Sequence, residues 1–277
     1  MNATPQRIAI GIEYDGSRFL GWQQQAHGAS IERELVAAVS HVADQPVEVC
    51  AAGRTDAGVH ALGQVAHFDT TAVRTARAWL LGITSRLPED ITLTWARPVA
   101  ADFHARSGAV ARSYLYRILN RPTRPALARL QVCWWRETLD AQRMQRAARQ
   151  LCGEHDFSAF RAAECQSKSA IRRVHRIDVT RTADLVSIEV TANAFLHHMV
   201  RNIAGALLAI GSGERPESWL ADILAGRDRR HGGITAPPGG LYLARVHYPP
   251  HFGIPVAGAG RFDIIAGAMT PQPGTRA

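Results

Sequence analysis

Hydrophobic periodicity along this chain switches between two residues and roughly 3.6 residues in one order, strand-helix-strand-strand-helix-strand, and it does so twice. That doubled order narrows the possible folds more than any other feature. In the first pass, residues 7–13 alternate with Ile8, Ile10 and Ile12 on one face and predict a strand. Ser30 caps a helix whose apolar stripe is Ile31, Leu35, Val39 and Val42. Residues 47–51 and 64–68 predict strands separated by a glycine-bearing loop, 75–86 a helix stopped before Pro88, and 91–96 a strand. In the second pass, 113–119 predicts a strand with Tyr114, Tyr116 and Ile118 on one face, and 140–151 a helix. Residues 171–180 and 185–191 read as a hairpin turning at 181–184, 195–210 as the longest helix and 241–247 as the closing strand. A short helix over 218–225 and a Gly/Pro-rich loop over 232–240 lie between those last two.

The expected fold is therefore α+β: two ferredoxin-like β-α-β-β-α-β halves with antiparallel sheets and a central cleft. Residues 1–108 form the first half and 109–250 the second. Residues 251–277, rich in Gly, Ala and Pro, form a tail that drapes on the surface or is disordered. Helices should cover one side of the sheets and leave the other to a ligand.

Composition removes several classes of function. With 46% apolar and 20% charged residues the chain reads as globular. Residues 1–7 contain no apolar core, so no secretory leader is read. The longest apolar stretch, 195–210, is interrupted by His197, His198, Arg201 and Asn202, which argues against a membrane span. The expectation is a soluble cytoplasmic protein. Cys50, Cys133, Cys152 and Cys165 are scattered without the close pairing of a zinc site, so reduced, mostly buried thiols are expected, with no metal and no disulfide. A net charge of +8 and a pI near 10.0 point to a polyanionic partner. Lys168 is the single lysine among 32 basic residues. Arginine suits phosphate because its planar fork bonds two oxygens at once. Arg143, Arg146 and Arg149 on one helix, and Arg161, Lys168, Arg172, Arg173 and Arg176 further on, are candidates to track phosphates.

One stretch carries chemistry: Gly53-Arg54-Thr55-Asp56-Ala57-Gly58-Val59-His60-Ala61, lying between two predicted strands. Gly53 and Gly58 permit tight or positive-φ backbone on either side of the acid, and Arg54 is close enough to hold it ionised. For an Arg-x-Asp in a glycine loop taken alone, an ordinary turn with a surface ion pair is the commoner outcome.

The first eight of these residues, followed by Gly63-Gln64-Val65, resemble the signature of the TruA family of tRNA pseudouridine synthases. The resemblance runs from Tyr14-Asp15-Gly16 and Gly21-Trp22-Gln23 through Asp102-Phe103-His104-Ala105-Arg106 and Ala111-Arg112-Ser113-Tyr114-Leu115-Tyr116. It continues through Gly153-Glu154-His155-Asp156-Phe157, Asn193-Ala194-Phe195-Leu196-His197-His198-Met199-Val200-Arg201-Asn202 and Arg227-Asp228-Arg229 to Gly240-Leu241-Tyr242-Leu243. It departs at Ser107-Gly108, where the family pattern has an aromatic residue and then serine.

The resemblance implies an isomerase that converts uridine to pseudouridine at positions 38, 39 and 40 of the tRNA anticodon arm, working as a homodimer without cofactor. Asp56 would be the nucleophile, Tyr114 would pack on the target base, and Arg54 would take the place of the flipped uridine. Arg201 would approach Asp56, with Leu241 an apolar wall behind the base. For Arg201 the helix periodicity says otherwise. The apolar stripe is Phe195, Met199, Ile203, Ala206 and Ile210, and Arg201 lies opposite it beside His197 and Gly205, a position that reads as solvated. Two other classes compete: a non-catalytic RNA-binding or RNA-folding protein, and a nucleosidase, which would want a second acid in the motif.

Overall fold

A computed structural model of the chain describes residues 4–255. Its first half runs β1 (Gln6–Tyr14), α1 (Ile31–Ala43), β2 (Cys50–Ala51), β3 (His60–Thr70), α2 (Ala76–Thr84) and β4 (Ile91–Val99). The second runs β5 (Ala111–Asn120), β6 (Cys133–Trp135), α3 (Ala141–Ala148), β7 (Gly153–Asp156), β8 (Ile171–Thr182), β9 (Leu185–Ala192), α4 (Met199–Gly211), α5 (Trp219–Gly226) and β10 (Leu241–His247). The mixed α/β class is as expected. Most of the tail read from residue 251 onward lies outside the described residues.

All ten strands belong to one sheet in the order β4-β1-β3-β10-β5-β9-β8-β7, with β2 added on β3 and β6 on β5. In both halves the fourth major strand lies beside the first, and the first beside the third. The halves do not face each other. They join edge to edge where β3 and β10 run parallel, with Tyr242 opposite His60 and Leu243 opposite Ala61. Because the two strands are parallel, the loops leading into them emerge at the same end of this seam. One is the motif loop, 52–59, and the other is the 227–240 loop.

The helices form where the sequence caps them. Ser30 Oγ accepts the Arg33 amide at the start of α1, and the Asp140 carboxylate accepts those of Gln142 and Arg143 at the start of α3. Their apolar faces close two cores. Ile8, Ile10 and Ile12 pack with Leu35 and Val39 of α1 and Trp79 and Ile83 of α2. Tyr116, Ile118, Ile188 and Val190 pack with Met144 of α3 and Ile203 and Leu207 of α4. Each fully buried aliphatic side chain contributes about 1.5–3 kcal/mol. Tyr114 touches both cores, which places it over the seam on the helix-bearing face.

Four elements depart from the sequence reading. β3 starts at His60 rather than residue 64, because it is covered on both sides and shows no alternation to read. β6 and β7, of 3 and 4 residues, are too short to carry a period. The helix expected from residue 195 begins at Met199, because His198 adopts a left-handed conformation with φ 61°.

Candidate active site

The motif loop is held from three sides before any side chain reaches the cleft. The Trp22 amide donates to Thr55 O at 2.9 Å, Tyr14 Oη lies 2.8 Å from Thr55 Oγ1, and Gln64 Nε2 donates to Gly53 O at 2.7 Å. Gly58 takes φ 75°, turning the chain back towards β3, whereas Gly53 does not use a positive φ. Buried His60 anchors the loop's exit. Its Nδ1 lies 3.1 Å from both the Gly16 amide and Asp15 Oδ1, and its Nε2 lies 2.9 and 3.1 Å from Leu130 O and Gly239 O. Thr55 and Asp56 therefore project at the seam from a fixed backbone.

Arg201 is not solvated. Its side chain is 13% exposed, and Nη1 lies 3.4 Å from Asp56 Oδ2. Nε donates to Ala236 O at 2.8 Å, and the Ala236 amide donates back to Arg201 O. The face of α4 that looked polar by periodicity is covered by the 232–237 segment. Asn202 and Gly205 pin that segment further. Asn202 Oδ1 accepts from Arg229 Nη2 and Thr235 Oγ1, and a Cβ on Gly205 would sit 1.8 Å from Ile234 O. Gly205→Ala should therefore push the loop off the helix. The expected cost is about 1–3 kcal/mol of stability, read by thermal or urea unfolding, with activity lost as Arg201 is released. A variant with wild-type stability and turnover would show that the close approach is dispensable.

Tyr114 is partly buried and packs edge-on against Phe195, ring centroids 4.8 Å apart. Burial, reinforced by the charge on Asp56, pushes its hydroxyl up to about 12, so it stays protonated across the working pH range. Its neighbour Tyr116 is a core residue whose hydroxyl donates to Pro237 O. Leu241 is 5% exposed and belongs to the second core together with Val59 of the motif loop. Arg54 is exposed and has no hydrogen-bond or ion-pair partner among the described residues. The site thus lies on the helix-bearing side of the sheet, not on the opposite side that the sequence reading left for a ligand.

Sequence reasoning assigned no role to His197 and His198. His197 Nε2 lies 3.3 Å from Asp56 Oδ1, and His198 Nε2 lies 3.3 Å from Oδ2. Burial lowers the tendency of His198 to protonate, against the pull of Asp56. The signal was present as two adjacent histidines one helical turn before Arg201, but nothing in periodicity marks the left-handed residue. That conformation costs about 1–2 kcal/mol for a residue with a Cβ.

Neither histidine cluster suits a metal. At Asp56 the guanidinium of Arg201, 3.4 Å from Oδ2, already supplies a positive charge that would repel a metal ion. In the other cluster, Cys50, His67 and His104 converge, but His67 Nδ1 accepts the Ala105 amide and His104 Nδ1 accepts those of Arg106 and Ser107. Both Nε2 atoms therefore carry the proton, which leaves no lone pair for a cation. Of the four thiols, Cys133 and Cys165 are buried, Cys50 half-buried and Cys152 exposed. The outlying arginines are partly spoken for: Arg146 pairs with Glu217, Arg173 with Glu154 and Arg176 with Asp178.

Residues 10–106 and 147–249 match the family model described as tRNA pseudouridine synthase. Asp56, Arg54, Arg201 and Leu241 fall within the matched segments, and Tyr114 falls between them. The chain is 56% identical over 248 residues to tRNA pseudouridine synthase A of Methylococcus capsulatus, covering 90% of this chain and 92% of that protein. It is 53% identical over 258 residues to the protein of the same name from Coxiella burnetii, covering 93% and 99%. The corresponding protein of Nitrosococcus oceani is 53% identical over 249 residues, covering 90% and 96%.

Proposed function

This chain belongs to the tRNA pseudouridine synthase family, and from that premise we propose that it isomerises uridines 38, 39 and 40 of the tRNA anticodon arm with Asp56 as nucleophile. The observation that carries the proposal is the setting of one carboxylate among basic groups: Arg201, His197 and His198 lie 3.3–3.4 Å from Asp56, and Glu164 acts on His198 without being paired to it. Hydrolysis of a glycosidic bond usually employs two carboxylates, one of them to activate water. Isomerisation needs none for that purpose. The N1–C1′ bond breaks, the base turns, C5 bonds to C1′, the C5 proton leaves and N1 gains one. Atoms and oxidation state balance within the substrate, so the reaction calls for no cofactor.

Residues 1–108 supply Asp56 and Arg54, and 109–250 supply Tyr114, Arg201 and Leu241. Tyr114 stacks on the target base, with Leu241 as the apolar wall behind it. A uridine in or beside a stem must be flipped out, and the exposed Arg54 occupies the vacated position. The protein acts in the cytoplasm as a homodimer across which one tRNA lies. No helix among the described residues is long and apolar enough to cross a membrane.

The test is pseudouridine mapping of tRNA after incubation with purified protein, alongside an assay for free uracil. Pseudouridine at the anticodon arm without uracil is expected. Released uracil would mean a nucleosidase, and bound but unmodified tRNA would mean a non-catalytic RNA-binding protein. Binding should also weaken steeply with salt, as the arginine surface displaces counterions. Affinity that is flat between about 50 and 200 mM salt would make the +8 charge incidental.

A further inference from the structure

Two consecutive side chains in a helix or strand point roughly 100° or 180° apart, so adjacent residues do not ordinarily reach one small target. Here they do. The His197 and His198 rings lie 4.0 Å apart and bracket the two oxygens of a single carboxylate. The left-handed backbone at His198 makes this possible, and a strained residue with no side-chain capping bond at the mouth of a cleft asks for a functional reason. Both backbones are separately fastened. The His197 amide donates to Cys165 Sγ and its carbonyl accepts the Ala162 amide, while the His198 carbonyl accepts the amide of Asn202.

We infer that His197 and His198 are positioning residues, which together orient both oxygens of Asp56, and that protonation of His198 immobilises the carboxylate as an ion pair, closing the enzyme on its acid side. The inference rests on the reading of Asp56 as nucleophile. Arg201 fixes only Oδ2, so a carboxylate on a loop would still rotate about that contact; the second imidazole removes the freedom. The groups facing the pair are Asp56 from the motif loop, Arg201 from α4, Glu164 from the segment before β8, and Tyr114 from β5 through its interaction with Asp56. Burial, Arg201 and His197 disfavour a charge on His198, whereas Asp56 and Glu164 favour one. The net direction is downward, so at neutral pH His198 donates a hydrogen bond without adding charge. As pH falls and His198 protonates, Asp56 is held by more positive charge. An oxygen so stabilised is a poorer nucleophile, since those ion pairs must be given up as its charge is lost.

The variants are His197→Gln, which keeps an N–H within reach, His198→Asn, which tolerates the left-handed backbone, and the pair together. Turnover and KM are measured on tRNA across pH. For the double variant, kcat at the optimum should fall on the order of 10²-fold with KM for tRNA unchanged. The acid limb should move to lower pH, because the groups that close the enzyme are gone. His197→Gln should retain more turnover than His197→Ala. A double variant with near-normal kcat and an unmoved acid limb overturns the inference, as does a change confined to KM. If the double variant no longer binds tRNA, His198→Asn alone carries the same two readouts. Asp56→Asn separates the two levels. If it is active, the nucleophile reading fails; if it is dead while the histidine variants behave as wild type, only the clamp fails.

Discussion

Asp56→Asn should abolish pseudouridine formation while tRNA still binds. An amide is nearly isosteric with the acid, and the loop that carries it is fastened through Thr55, Gly53 and Gly58 rather than through the carboxylate. Arg201 keeps its bond to Ala236 O whatever stands at 56, so the cleft should hold its shape. What disappears is the nucleophile. Removing a nucleophile that works within a cooperating set costs on the order of 10⁴-fold or more in turnover. Two measurements decide it: single-turnover pseudouridine formation, expected to be lost, and tRNA affinity, expected to be retained. Substantial residual turnover would remove Asp56 from the chemistry and favour a role in shaping the loop. Loss of binding as well would instead make it a substrate contact.

How much of this site could be read beforehand depended on what covered each element. β1 was legible because the large Ile8, Ile10 and Ile12 alternate with the small Ala9 and Gly11, and α1 because it buries one face and starts at the Ser30 cap. β3 was seen only in part, because a strand covered on both faces loses its alternation. Arg201 was misplaced by periodicity for a related reason. Periodicity tells apolar from polar, but it does not tell solvent from a neighbouring loop, and the polar-looking face of α4 is roofed by 232–237 through Ala236 and the close approach at Gly205. The start of α4 was set too early because His198 is neither Gly nor Asn, the residues that usually announce a left-handed turn. The motif loop's chemistry was visible only by resemblance. Its local pattern fits an ordinary turn, and what distinguishes it arrives from more than a hundred residues away, in His197, His198 and Arg201.

Arg201→Ala should lower turnover by about 10²-fold, because the carboxylate loses the anchored guanidinium that orients it. It should also move the acid limb of the pH profile to higher pH. The sign follows from His198. Arg201 is one of the groups that keeps its imidazole from protonating, so without the guanidinium His198 takes up a proton at higher pH and the carboxylate is immobilised earlier. This shift is opposite to the one expected when the imidazoles themselves are removed, and the opposition makes a cycle possible. If the histidines set the acid limb, Arg201→Ala placed in the His197→Gln/His198→Asn background should still reduce turnover but shift the limb less than it does in the wild type, because the imidazole through which it acts is gone. If the limb belongs to Asp56, the same upward shift should appear in both backgrounds. Wild-type turnover in Arg201→Ala would return the residue to the solvated face that its periodicity described, and the 3.4 Å contact would be incidental.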